Sequence, residues 1–182
     1  MRTIGVRVNA PAQADAAPVT PHAVTIGEMV VSTNPVDVMV AYGLGSCVAV
    51  CLYDPVTRVG GMIHSLLPHS PNGSTSYDGP PAKFVNQGVP TLLGTLKEMG
   101  ALRGRLVAHL CGGAQVLAIP SRNSVLNVGD RNITAAEQQL ADLGIKIKAQ
   151  ATGGTVGRTV RFYLQDGRVT VRSLGQSEEI LS

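Results

Sequence analysis

A cysteine and a histidine at hairpin spacing carry the sharpest chemical signal in this chain. Cys47 sits in Gly43-Leu44-Gly45-Ser46-Cys47-Val48, and His64 follows in Gly60-Gly61-Met62-Ile63-His64-Ser65. An imidazole beside a thiol lowers the thiol pKa, activates it as a nucleophile and then shuttles protons. The glycines at 43 and 45 permit a sharp backbone bend that exposes a side chain and turns successive N–H groups toward one point. Such N–H groups, with Gly45 and Ser46 as the site-shaping residues, stabilise an oxyanion.

The elements that must position this pair are two strands and a turn. Asp54-Pro55-Val56-Thr57 has Asp first and Pro second, as a type I turn prefers. Apolar runs at 48–53 and 59–67 flank it, so the segment reads as a hairpin. Pairing Asp54 with Thr57 sets Cys47 directly opposite His64, with Cβ atoms about 4.5–5.5 Å apart. A β-bulge at Gly60-Gly61 would instead shift the register by one.

Other candidates have plainer readings. A cysteine in an apolar run is most often an inert small hydrophobe, and Cys51 and Cys111 are read that way. His22 falls in a flexible lead-in rich in Ala and Pro, His69 in a loop, and His109 within the apolar run Val107-Ala108-His109-Leu110. Zinc is disfavoured: on a strand, Cys47 and Cys51 lie roughly 13 Å apart, too far to share one ion. His109 and Cys111 share a strand face but are only two ligands. No metal and no cofactor is expected.

The composition narrows the class. The chain has 182 residues, no Trp, 2 Phe, 4 Tyr, 21 Gly, 11 Pro and a net charge of +3. That length suits one domain, and the Gly and Pro content favours a strand-rich or α+β domain over a helical bundle. The basic residues are scattered without interleaved aromatics, so nucleic acid is not an expected partner. No apolar stretch approaches a membrane span, and no direct membrane insertion is expected. The start, Met1-Arg2-Thr3-Ile4-Gly5-Val6-Arg7, lacks the apolar run of a signal peptide. Three cysteines without such a signal read as free thiols in a reducing compartment, which makes the cytoplasm the expected location.

Along the chain, residues 1–25 read as a flexible lead-in, 26–174 as one domain, and 175–182 as a loosely ordered tail. Strands are expected over 25–31, 36–42, 47–53, 59–67, 105–111 and 145–151. A hairpin over 159–164 and 168–173 is expected around Asp166-Gly167. Helices are expected from Pro90 to Met99, with Gly100 as its stop and a further turn over 83–88, and over 132–143 with Asn132 or Thr134 as cap. The fold class is α+β: packed β-sheets, β-sandwich-like, with two or three helices outside.

Several ordered motifs extend the dyad into a family resemblance. The segment from Gly43 to Val48, then Asp54-Pro55, Gly60-Gly61, His64 and Leu67-Pro68, resembles the chemoreceptor glutamine deamidases, the CheD family. Gly112-Gly113-Ala114, Val128-Gly129-Asp130-Arg131-Asn132 and Gly153-Gly154-Thr155-Val156-Gly157-Arg158 continue the match, which spans 26–174. The resemblance implies a fold shared with Cys/His toxin deamidases and hydrolysis of specific glutamine side chains on methyl-accepting chemoreceptors. It makes Cys47 the nucleophile and His64 the general base and acid, working through a thioester, with methylesterase chemistry as a secondary activity. The implied partners are the cytoplasmic helices of those receptors and a response-regulator phosphatase of the chemotaxis system.

Two positions depart from the family pattern. A Thr usual six residues before the cysteine is Ala41 here, leaving Ser46, Tyr42 or a residue of another strand to replace its hydroxyl. An aromatic-x-Asp before the middle helix is Phe84-Val85-Asn86. The alternatives to an active deamidase are a catalytically weakened binding module that regulates the phosphatase, and a thiol redox sensor. No resolving cysteine stands at short spacing, which argues against the sensor.

Overall fold

The structure is a computed structural model that describes residues 6–9, 21–71, 79–116 and 127–181. It is α+β, with two packed sheets and two α-helices against the outer face of one of them. Eleven strands run through the described residues: β1 Val6–Asn9, β2 His22–Ala23, β3 Met29–Ser32, β4 Val38–Leu44, β5 Val48–Asp54, β6 Val59–Ser65, β7 Val107–Gly112, β8 Lys146–Thr152, β9 Arg158–Tyr163, β10 Val169–Ser173 and β11 Glu178–Leu181. Helices α1 (Val85–Glu98) and α2 (Val128–Asp142) complete the layers. The first sheet has the order β1-β3-β6-β5-β7-β8 and the second β11-β10-β9-β4-β2.

Strand β5 lies near the centre of the first sheet and is buried along its whole length, which is why it reads as a continuous apolar run. Its side chains divide by parity. Val48, Val50 and Leu52 pack with Val89, Leu92 and Leu96 of α1 and Ala136 and Leu140 of α2. Cys47, Ala49, Cys51 and Tyr53 join the second core, with Met39, Ala41, Val160 and Phe162 of the other sheet. Strand β9 alternates buried and half-buried residues, the period-2 pattern of a sheet with one face on a core.

The hairpin forms, with a register that differs from the expected one. Asp54 pairs with Val59 rather than Thr57, and Ala49 rather than Cys47 faces His64. Asp54 is the last strand residue because its buried carboxylate accepts from the N–H groups of Val56 and Leu102 and pairs with Arg105 at 2.7 Å. The loop is therefore Pro55 to Arg58, closed by Arg58 in the left-handed region at φ 55°. No bulge interrupts the β5–β6 ladder. Gly61 instead makes room for α1, since a Cβ there would lie 2.7 Å from Leu92 Cδ1.

Both expected helices begin earlier in the chain. Phe84 stands at the N-terminus of α1, and Pro90 lies inside the helix, forgoing the bond to the Asn86 carbonyl. Gly88 is kept by close packing, a Cβ there reaching 3.0 Å from Ala82 Cα. In α2 the cap is Asn127, whose side chain accepts from Asp130 N–H, so neither Asn132 nor Thr134 serves. The segments read as lead-in and tail also contribute strands. β1 pairs with β3, β2 with β4, and β11 with β10. Most of the lead-in, 10–20, lies outside the described residues, as does most of the loop that follows Pro71. The hairpin around Asp166-Gly167 is present, with Val169 paired to Phe162.

Candidate active site

The bend before β5 holds Cys47. Gly43 takes φ 63° and the β4–β9 ladder is irregular between Ala41 and Leu44, so the chain leaves the second sheet and enters the first within a few residues. Gly112 makes the close approach on the other side. It has φ 107°, and a Cβ there would lie 2.2 Å from the Cys47 carbonyl oxygen. That carbonyl accepts from Gly113 N–H at 2.8 Å, and the Gly45 carbonyl accepts from Ala114 N–H at 2.7 Å. The N–H groups of Gly45 and Ser46 take part in no turn or loop backbone hydrogen bond among the described residues, and the Cys47 N–H lies against its own sulfur.

Cys47 and His64 share one face of the first sheet. The register differs from expectation by an even step, and an even step preserves the face while an odd one reverses it. Ala49 opposes His64, so Cys47, two residues before Ala49, stands on the diagonal from His64. Both are buried, at 8% and 4% exposure.

The imidazole is oriented by backbone. Its Nδ1 lies 3.0 Å from the Val24 carbonyl, and a carbonyl only accepts, so Nδ1 carries the proton. Nε2 is left as a buried acceptor with no partner among the described residues. Val24 is itself fixed by its N–H bond to the Val40 carbonyl at 2.8 Å. The last residues of the segment read as a lead-in therefore belong to the site.

Burial pushes the His64 pKa below the usual imidazole value; the Val24 bond and the Glu28 carboxylate pull the other way. Burial likewise raises the Cys47 thiol, opposed only by its own amide. The expectation of a lowered thiol pKa is thus reversed: in a dry site both partners are neutral. A neutral imidazole with a free Nε2 can take the thiol proton as the sulfur attacks, which is general-base activation rather than a standing ion pair.

Both departures from the family pattern fall among the described residues. Ala41 is fully buried between the sheets, Tyr42 is exposed, and Ser46 is half-buried. The group on His64 is a carbonyl, not a hydroxyl. Asn86 accepts from Ser70 N–H at 3.0 Å and donates from its own N–H to the Pro68 carbonyl, tying down the loop after β6. Cys51 and Cys111 are free and buried in the inter-sheet core, with the Cys111 thiol pushed up to about 12 by burial. His109 is buried with neither ring nitrogen partnered among the described residues, and burial takes its pKa to about 4. No cluster of three or more His, Cys, Asp or Glu able to hold a metal occurs among the described residues. No described helix is long and apolar enough to cross a membrane.

One residue near the dyad goes beyond the sequence reading. Asn132 is fully buried and donates to the Ser46 carbonyl at 2.8 Å and the Leu66 carbonyl at 3.0 Å. Its sequence signal is a polar residue on the apolar stripe of α2.

Comparison with known proteins shows the family. The family model for CheD chemotactic sensory transduction matches residues 66–173. A protein of Symbiobacterium thermophilum named probable chemoreceptor glutamine deamidase CheD is 42% identical over 160 residues, 88% of this chain and 96% of that protein. The chemoreceptor glutamine deamidase CheD of Thermotoga maritima is 43% identical over 155 residues, covering 85% and 93%. Among solved structures, the Bacillus licheniformis hypothetical protein YfiH aligns with a TM-score of 0.43 at 13% identity, over 78% of this chain and 64% of its own. With a matching family model over more than half of its length and relatives above 40% identity, the chain belongs to the CheD family.

Proposed function

We propose that this protein deamidates glutamine side chains on the cytoplasmic helices of methyl-accepting chemoreceptors, with Cys47 as nucleophile and His64 as general base and acid. The observation that carries the reading is the oriented, neutral His64, whose free Nε2 shares a face with Cys47, in a chain 43% identical to a chemoreceptor glutamine deamidase.

The steps follow from these groups. Nε2 of His64 takes the Cys47 proton as Sγ attacks the glutamine carboxamide carbon. The tetrahedral oxyanion is received by the N–H groups of the 45–47 bend. His64 then returns the proton to the departing nitrogen, ammonia leaves, and a thioester remains. Water, deprotonated by the same Nε2, attacks the thioester, and the product is glutamate with the thiol restored. A glutamate methyl ester fits the same sequence, with methanol leaving in place of ammonia, which supports a methylesterase side activity.

A second reading is favoured by one observation, the missing hydroxyl at Ala41: a binding module that regulates a chemotaxis response-regulator phosphatase by docking near Cys47. The two separate in one experiment. Receptor cytoplasmic fragments are incubated with wild type, Cys47→Ala and Ala41→Thr, and Gln-to-Glu conversion is followed by mass. Conversion by wild type that is lost in Cys47→Ala is the expected result. Conversion surviving in Cys47→Ala overturns the dyad; none in wild type, restored by Ala41→Thr, selects the binding module.

A further inference from the structure

We propose that Asn132 is a positioning residue for this site, its carboxamide clamping the loop that carries the nucleophile to the strand that carries the base. The inference rests on the reading of Cys47 and His64 as the reacting pair. Nδ2 of Asn132 donates both its protons, to the Ser46 carbonyl at 2.8 Å and to the Leu66 carbonyl at 3.0 Å. Ser46 immediately precedes Cys47, and Leu66 lies two residues beyond His64. Both partners are acceptors, so only the donor end of the amide fits there; the oxygen would face two carbonyl oxygens.

The clamp sits where the sheet ladder ends. Strand β5 begins at Val48 and β6 ends at Ser65, so Cys47 and Leu66 are beyond the paired residues. Asn132 joins the two chain ends there from a third element. It shares the core-facing stripe of α2 with Ala135, Ala136 and Leu140, where an unbonded amide is costly. The helix is seated at this depth by Gly129, since a Cβ there would lie 2.4 Å from the Gly113 carbonyl oxygen. Gly113 in turn donates to the Cys47 carbonyl. The first turn of α2, the end of β7 and the nucleophile loop thus form one packed unit. Oδ1 of Asn132 is buried without a partner among the described residues.

The test uses Asn132→Ala and Asn132→Asp, with Leu140→Val as a control from the same stripe. Deamidation of a receptor fragment gives kcat and KM, iodoacetamide gives the rate of Cys47 alkylation against pH, and thermal melts give Tm. In both Asn132 variants kcat is expected to fall about 100-fold, with KM within about threefold of wild type. Alkylation of Cys47 becomes faster as the loop opens and the thiol gains solvent. Leu140→Val lowers Tm and changes neither. Asn132 variants that only lower Tm, with kcat and alkylation as in Leu140→Val, overturn the proposal. If Asn132→Asp does not fold, because its buried carboxylate meets the two carbonyl oxygens, the Ala variant carries the comparison. A wild type that converts no glutamine sinks the deamidase reading alone, because the alkylation profile still decides the clamp.

Discussion

His64 gives its Nδ1 proton to the carbonyl of Val24, and that one bond fixes which nitrogen of the imidazole is available for chemistry. Nε2 remains unprotonated and buried, and burial holds the ring neutral to lower pH than an ordinary histidine. With His64 as the proposed base, catalysis requires the neutral form, so kcat/KM is expected to rise with pH through the His64 pKa, with its acid limb below the usual imidazole value of about 6.5. Substitution of His64 by Gln removes the base and is expected to cost about 10²–10⁴ in kcat with little change in KM. An acid limb at or above the ordinary value would contradict the buried neutral state.

Thiol alkylation reports the other half of the pair. Alkylation needs the thiolate, and burial raises the Cys47 pKa, so the free protein should alkylate with an inflection at or above the ordinary thiol range. A rate already at its plateau near neutral pH would indicate a standing thiolate–imidazolium pair instead. The profile is measured with iodoacetamide, reading the Cys47 peptide by mass to separate it from the buried Cys51 and Cys111.

How much of this was legible in the sequence depends on the range of the interaction. That Cys47 and His64 stand on one sheet face is legible from local turn chemistry and strand parity. The face it chose survived a wrong register because the error was even: Asp54 ended the strand instead of opening the loop. That role of Asp54 comes from Arg105 and Leu102 N–H, about fifty residues away, and no local pattern contains it. The same holds for Val24, whose backbone carbonyl leaves no side-chain signature, and for Asn132, whose partners are the carbonyls of Ser46 and Leu66. Pro90 misplaced the start of α1 because a proline at the first turn and one inside a helix look alike until Gly88 is seen packed on Ala82.

The buried His109 makes stability depend on pH. Its pKa falls from the usual value to about 4 in the folded chain, so between about 6.5 and 4 the unfolded chain binds more protons than the folded one. Stability therefore rises with pH across that window and is lost as pH drops through it. The loss by pH 4 is on the order of 3 kcal/mol for this group alone. Urea midpoints measured from pH 7 to pH 4 should fall in wild type and fall less in His109→Gln. Equal slopes in the two proteins would exclude His109 as the source.

Removal of the Asp54 carboxylate tests what fixes the hairpin register. It is fully buried and accepts from Arg105, Leu102 N–H and Val56 N–H, and these bonds hold its pKa at about 2 against the opposing effect of burial. Asp54→Ala strands the Leu102 and Val56 donors while Arg105, 30% exposed, keeps access to water, and is expected to cost about 1–3 kcal/mol. The loss should appear in chemical denaturation as a lower midpoint.

Gly112 links the sheet to the reactive loop, and its replacement should injure the site more than the fold. A Cβ at Gly112 meets the Cys47 carbonyl oxygen at 2.2 Å, with φ at 107°, a conformation costing roughly 1–3 kcal/mol for a residue with a side chain. Gly112→Ala must therefore push the Cys47 backbone away from β7, which moves Sγ relative to Nε2 of His64. Displacement of a reacting atom by about 1 Å costs on the order of 100-fold in rate. The expected outcome is a chain that folds with a reduced Tm and a kcat lowered by that factor. Gly144→Ala is the control, since it also holds positive φ, at 65°, but meets nothing within 4 Å and ends α2 far along the chain from the dyad. It should lower Tm and leave kcat alone; equal kcat losses in both variants would attribute the effect to general strain rather than to the seat of Cys47.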